Sequence, residues 1–250
     1  NGFLILKNGN SLTDESTNTN NFTLGSGTLT DTKDCPSNVF ATGNPLIPGT
    51  NGNSTGNLTN TSGQNSWETM WSTIAASSGK YYAEFKPLSQ SQAYSTAVGV
   101  TKSEEVKTYN EIVGKVGGVQ WQSNGSIYDN NVETQSGGSP YPTYGTSDII
   151  GVAMDLDNGK LYFSKNGVWQ NSGDPTSGAT GTGAISILTN TFYNFGFGNY
   201  SGSVTANLGN GYFGTSAVAD NSTATASTPG TFNYDVPTGY QPLTTKGLNA

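Results

Sequence analysis

Hydrophobic and polar residues alternate with a period of two along much of this chain, most clearly over residues 148–170. Ile150, Val152, Met154 and Leu156 fall on one side of an extended segment, with Ile149, Gly151, Ala153 and Asp155 on the other. On the return run, Leu161 and Phe163 alternate with Tyr162 and Ser164. Such alternation marks a strand, because successive side chains point to opposite faces. Asn158-Gly159 separates the two runs, and Asn166-Gly167 follows them. Asn-Gly between apolar runs signals a tight hairpin, since both central positions of a type I′ turn need positive φ. The segment predicts a β-meander.

The pattern recurs. Trp67, Thr69, Trp71 and Thr73 alternate with Glu68, Met70, Ser72 and Ile74, and in 80–88 Tyr81, Ala83 and Phe85 share a face. Residues 96–101, 117–122, 127–130, 185–188, 193–197 and 203–207 are further strands, with a third hairpin signal at Ser123-Asn124-Gly125-Ser126. Phe232, Tyr234 and Val236 alternate as a closing strand before Pro237. No stretch joins helical periodicity to start and stop signals, and no solenoid period appears. Many short strands without helices predict an all-β antiparallel β-sandwich.

Residues 1–33 read as an N-terminal arm of irregular structure, and 34–66 as a loop-rich lead-in punctuated by Pro36, Pro45 and Pro48. The expected organisation is therefore an arm or connector over 1–66 and the sandwich domain over 67–250. Loops 103–115, 136–147, 171–183 and the low-complexity 209–231 are expected on its surface. The chain begins at Asn1 without methionine, which reads as a processed product or a fragment of a longer protein.

Composition narrows the function. Only 11% of residues are charged, against about 25% in ordinary domains, so Asn, Ser, Thr and Gly must carry solubility. Ten basic against 17 acidic residues argue against nucleic acid, which demands a Lys/Arg footprint. No apolar run approaches the length of a membrane span, so no membrane insertion is expected. Cys35 is the single cysteine, which precludes an intramolecular disulfide and reads as a small, partly buried residue.

The chain has no histidine, which removes Ser-His-Asp and Cys-His machinery and the commonest ligand of catalytic zinc. No metal or cofactor is expected. A glycosidase needs only two carboxylates, for which Glu84, Glu111, Asp155 and Asp157 are available. Asp155 and Asp157 flank a hairpin, where Asp commonly serves turn chemistry. Asp155-Leu-Asp157-Asn158-Gly159 resembles the opening of a calcium loop, but Asn166 stands where that loop needs Glu, and the flanks are strands.

The remaining candidates are loop aromatics, which supply rigid contact area at low entropic cost. Tyr141 and Tyr144, in the string SGGSPYPTYG, lead this set, followed by Tyr109, Tyr128 and Trp169. These five are the candidate ligand contacts, set against the alternative that half or more of them pack inward as core.

Several strings also carry a resemblance. DIIGVAMDLDNGKLYFSKNGVWQNSGDPTSG (148–178), SGKYYAEF (78–85), DCPSNVFATGNPL (34–46), NFGFGNY (194–200) and FNYDVPTGYQPLTTKGLNA (232–250) together resemble a SPRY domain of the tailed-phage virion type, spanning roughly residues 34–248. The resemblance implies a SPRY-like β-sandwich that binds through loops and is not an enzyme. It further implies a virion-surface protein (fibre, appendage or capsid decoration) with other virion subunits as partners, homo-oligomeric assembly, and host-surface glycan or protein as ligand. Three alternatives stand beside it: a bacterial surface or secreted carbohydrate-binding module, a two-carboxylate polysaccharide-cleaving enzyme, and an intracellular SPRY adaptor, which fits poorly with the low charge and the polar N-terminal arm.

Overall fold

A computed structural model describes residues 2–9, 11–29, 33–47, 55–106, 117–218 and 230–249. Among them, strands β1 (Thr59–Trp71), β2 (Lys80–Gln90), β3 (Thr96–Lys102), β4 (Gly118–Gln122), β5 (Ile127–Asp129), β6 (Val132–Gln135), β7 (Ile150–Asp155), β8 (Lys160–Lys165), β9 (Val168–Trp169), β10 (Ile185–Ser186) and β11 (Tyr193–Asn207) join in one antiparallel sheet. A separate hairpin pairs β12 (Tyr212–Phe213) with β13 (Ser216–Ala217).

Two long strands fold this sheet into layers. The first half of β11, Tyr193–Asn199, pairs with β3, while its second half, Gly202–Asn207, pairs with β2. On its other side β11 pairs with β1 throughout, across an irregularity between Ser62 and Trp67. One layer is thus β6-β5-β4-β3-β11 and the other β10-β8-β7-β2-β11, and the strands that switch layers make the corner. Ser201, with φ 50°, sits at that corner. The two sequence segments read as separate strands, 193–197 and 203–207, are one bent strand.

The core fills the space between layers. Phe85 of β2 meets Phe197 of β11 at 5.7 Å, and Trp121 of β4 meets Phe163 of β8 at 5.8 Å, edge-on. Ile150, Val152, Met154, Leu156, Leu161 and Phe163 all belong to this core, as the alternation predicts. Their neighbours Ala153 and Tyr162 face a smaller cluster with Tyr82, Phe232, Val236 and Tyr240. The outer face of β2, β7 and β8 is therefore also covered.

That cover is the C-terminal segment, which is not the expected closing strand. Phe232 and Val236 do point inward. The backbone N–H groups of Asn233 and Tyr234, however, donate to the Glu84 side chain instead of to a neighbouring strand. A carboxylate replaces the ladder.

The turns divide similarly. Asn166 and Gly167 have φ 51° and 79°, as a two-residue hairpin requires. At Asn158-Gly159 only Gly159 is left-handed, and Asp155 pairs with Lys160 across a four-residue loop. Leu156 leaves the strand to enter the core, and Asp155 accepts hydrogen bonds from the backbone N–H and side-chain amide of Asn158, at 3.0 and 2.9 Å.

The N-terminal residues hold no strand or helix among those described. They fold locally around Asp14, which accepts from the N–H groups of Leu4, Ser16 and Asn20, while Phe3 packs on Phe22 at 4.7 Å. The lead-in is more than a connector. Ala41 N–H donates to Leu243 and Thr245 N–H to Val39, so residues 39–41 and the chain's end close together over the sandwich. The sheet itself begins at Thr59, ahead of the Trp67 start that the alternation marks.

Candidate functional site

The corner where β1 and β11 change layers carries three neighbouring aromatic rings. Tyr200 lies at the bend of β11 and Trp67 pairs opposite it on β1. Tyr94, on the β2–β3 connection, comes to 5.7 Å from Tyr200, and Trp67 to 6.1 Å on its other side. The rings are tilted by 54° and 57°, forming a ledge with Tyr200 in the middle. Tyr94 is 40% exposed, and Trp67 and Tyr200 are half-buried.

The chain builds this ledge firmly. The Tyr200 N–H donates to the Ser95 carbonyl at 2.7 Å, and the Ser91 hydroxyl donates to the Tyr200 carbonyl at 3.2 Å. Within the connection, Gln92 N–H donates to the Ser95 hydroxyl at 2.7 Å. The Ser123 hydroxyl, from the β4–β5 turn, donates to the Ala93 carbonyl at 2.7 Å. Both flanks of Tyr94 are thus tied to neighbouring elements.

The ledge also exposes little charge: Glu68, next to Trp67 on β1, is buried at 1% exposure. Residues 55–67, 87–101 and 193–218 contain no Lys, Arg, Asp or Glu, although at the chain's average of 11% they would hold several. Polar groups around the rings are hydroxyls and amides: Ser91 and Gln92 are exposed, and the Ser89 and Ser203 hydroxyls meet at 3.0 Å.

The aromatics singled out from sequence lie elsewhere. Tyr141 and Tyr144 are each only 4% exposed, which corrects their expected place on an open loop. They plug one end of the sandwich, packing edge-on against Trp121 at 5.6 and 5.0 Å. The Tyr144 hydroxyl lies 2.8 Å from the Trp121 carbonyl and 3.2 Å from that of Thr96, both acceptors. Burial pushes the Tyr141 hydroxyl up to about 12 and that of Tyr144 well above its ordinary value. The gap between layers needs apolar filling, and these rings supply it.

Trp169 is half-buried and caps the smaller cluster, edge-on to Tyr82 at 6.3 Å and Tyr162 at 6.5 Å. Tyr128 is half-buried on β5, opposite Gln120 and Glu133. Tyr109 lies outside the described residues. The structure therefore does not bring the four described residues together at one surface.

The carboxylates have structural work. Asp155 is buried and pairs with Lys80 at 2.9 Å. Asp157 accepts the Gly79 N–H at 2.7 Å. Glu84 is wholly buried and accepts from Tyr82 Oη, Asn207 Nδ2 and the N–H groups of Asn233 and Tyr234, at 3.2, 3.3, 2.8 and 2.8 Å. Burial raises its pKa to about 7 against the pull of those donors. Such a value suits a general acid. Phe232 and the rest of the C-terminal cover nevertheless seal Glu84 from solvent. Glu111 lies outside the described residues. Among the described residues, no three His, Cys, Asp or Glu side chains are grouped to hold a metal ion.

At the sandwich's other end lies a polar cleft of about 280 Å³ lined by Lys102, Asp129, Asn130, Leu188 and Tyr193.

No family model matches the chain, and no curated protein matches it. Two solved structures similar to it are SPRY domains. The SPRY domain of human HERC1 is 19% identical, with 60% of this chain and 87% of that one covered and a TM-score of 0.44. The TRIM65 PSpry domain is 16% identical, with 67% and 88% covered and a TM-score of 0.46. The all-β assignment rests on the strand pairing itself.

Proposed function

We propose that this protein is a non-enzymatic binding module whose contact surface is the Trp67–Tyr200–Tyr94 ledge, displayed on the surface of a bacteriophage virion. The observation that carries the binding reading is the ledge: three partly exposed rings on a layer-switching corner, pinned by hydrogen bonds from both sides. A preorganised aromatic surface loses little entropy when a partner docks. The non-enzymatic reading is supported by the carboxylates, since Asp155 and Asp157 hold a turn and Glu84 holds the C-terminal cover. The virion setting is supported by the motif strings and by a chain poor in charge and rich in Asn, Ser, Thr and Gly.

The test is binding of labelled protein to bacterial cells of candidate hosts, before and after periodate oxidation of their surface glycans. Saturable binding to cells supports the module. Binding that never saturates or never rises above that of an unrelated labelled protein contradicts it.

A further inference from the structure

We propose that the ledge binds an uncharged glycan chain, with Tyr94, Tyr200 and Trp67 packing against successive sugar rings. This deepens the reading of the ledge as the contact surface and rests on it.

Three features of the ledge point to this class of ligand. A pyranose presents an apolar face of C–H groups and a rim of hydroxyls, and aromatic side chains combine an apolar body with specific stacking geometry. Here the rings follow one another at 5.7 and 6.1 Å, with Tyr200 between the other two, which offers a run of contacts to an extended polymer.

Charge points the same way. An acidic polysaccharide, a phosphorylated headgroup or a charged peptide would give up hydration at a surface with no counter-charge in its sequence segments. A neutral sugar carries no such cost. Its hydroxyls find instead the exposed Ser91 and Gln92 beside the rings.

Rigidity supplies the third argument. The bonds Tyr200 N–H to Ser95, Ser91 Oγ to Tyr200 and Ser123 Oγ to Ala93 fix the ring-bearing backbone before any ligand arrives. Weak individual stacking contacts then add without an ordering penalty on the protein.

The test titrates the full chain with cellohexaose, chitohexaose, maltohexaose and mannohexaose, followed by tryptophan fluorescence. An oligomer of α2,8-linked sialic acid serves as the anionic probe. Saturable binding of at least one neutral hexaose is expected, and none of the anionic oligomer. Tyr94→Ala and Tyr200→Ala should each weaken binding roughly tenfold, the scale of losing one aromatic anchor. Tyr94→Phe should retain it, and the thermal midpoint of each variant verifies folding. No saturation with any neutral hexaose, preference for the anionic oligomer, or binding indifferent to both alanine variants overturns the proposal. If the hexaoses fail while intact cells are still bound, the glycan proposal falls and the binding module stands. If cells are not bound either, both fall.

Discussion

The carboxylate of Glu84 receives the backbone N–H of Tyr234 at 2.8 Å, joining the middle of β2 to a segment near the chain's end. The same group takes the Asn233 N–H, so two successive peptide groups of the C-terminal segment end on one buried side chain. Phe232, Val236 and Tyr240 then lie over Tyr82, Ala153 and Tyr162. One acidic residue thereby fixes how the second face of the sheet is covered.

Glu84→Ala should be among the most destabilising single substitutions, because it leaves two backbone N–H groups without their acceptor. We expect a loss of about 3 kcal/mol or more by chemical denaturation, since each buried orphan donor costs roughly 1–3 kcal/mol. An unchanged midpoint would show that water or another acceptor replaces the carboxylate.

Stability should also depend on pH through this residue. Its folded pKa of about 7 lies above the ordinary 4.5, so the folded state holds the proton more tightly than the unfolded chain. The resulting contribution is fully present below pH 4.5 and is lost as pH rises through 7, by roughly 3 kcal/mol in all. Glu84→Gln, which cannot ionise, should show a flatter profile over that window. Parallel profiles for the two proteins would contradict the shift.

Tyr141→Ala and Tyr144→Ala should act on folding. Each removes a buried ring packed on Trp121, and losses of about 3–5 kcal/mol are expected by denaturant titration. Tyr144→Phe keeps the ring and gives up only a hydroxyl bond, which should cost about 1 kcal/mol. Ligand binding by the Tyr144→Phe protein should match the wild type.

Gly167 is required by its turn. Its φ is 79°, and a Cβ there would stand 2.8 Å from the Tyr234 ring. Gly167→Ala should therefore destabilise by more than about 1 kcal/mol, as alanine does where φ is positive. A thermal midpoint equal to the wild type would show that the turn can change type.

Much of this fold was legible in the sequence because period-two alternation is a local property. The faces of Ile150–Leu156, Leu161–Phe163 and Tyr81–Phe85 came directly from it. What alternation could not show was where a strand changes layers, so β11 read as two strands and its corner as a gap. The C-terminal segment alternates like a strand, yet its hydrogen bonds go to a side chain far away in sequence. The loop aromatics failed for a related reason. Tyr141 and Tyr144 sit among Pro and Gly, which mark a loop but say nothing about whether that loop folds inward over an open end. Conversely, Trp67, Tyr94 and Tyr200 lie in three distant segments, brought together by the pairing of β1 with β11 and by the bonds that tie the β2–β3 connection to Tyr200. The sequence signal they shared was a setting of Ser, Gln, Asn and Gly, interrupted at Trp67 by Glu68.

The central claim is that binding occurs at the ledge and not at the opposite cleft. The most direct measurement compares binding to host cells by a Tyr94→Ala/Tyr200→Ala protein and by a Lys102→Ala/Asp129→Ala protein, both verified as folded. The account predicts that the first loses saturable binding while the second binds like the wild type. Retained binding by the ledge variant together with loss by the cleft variant would contradict it.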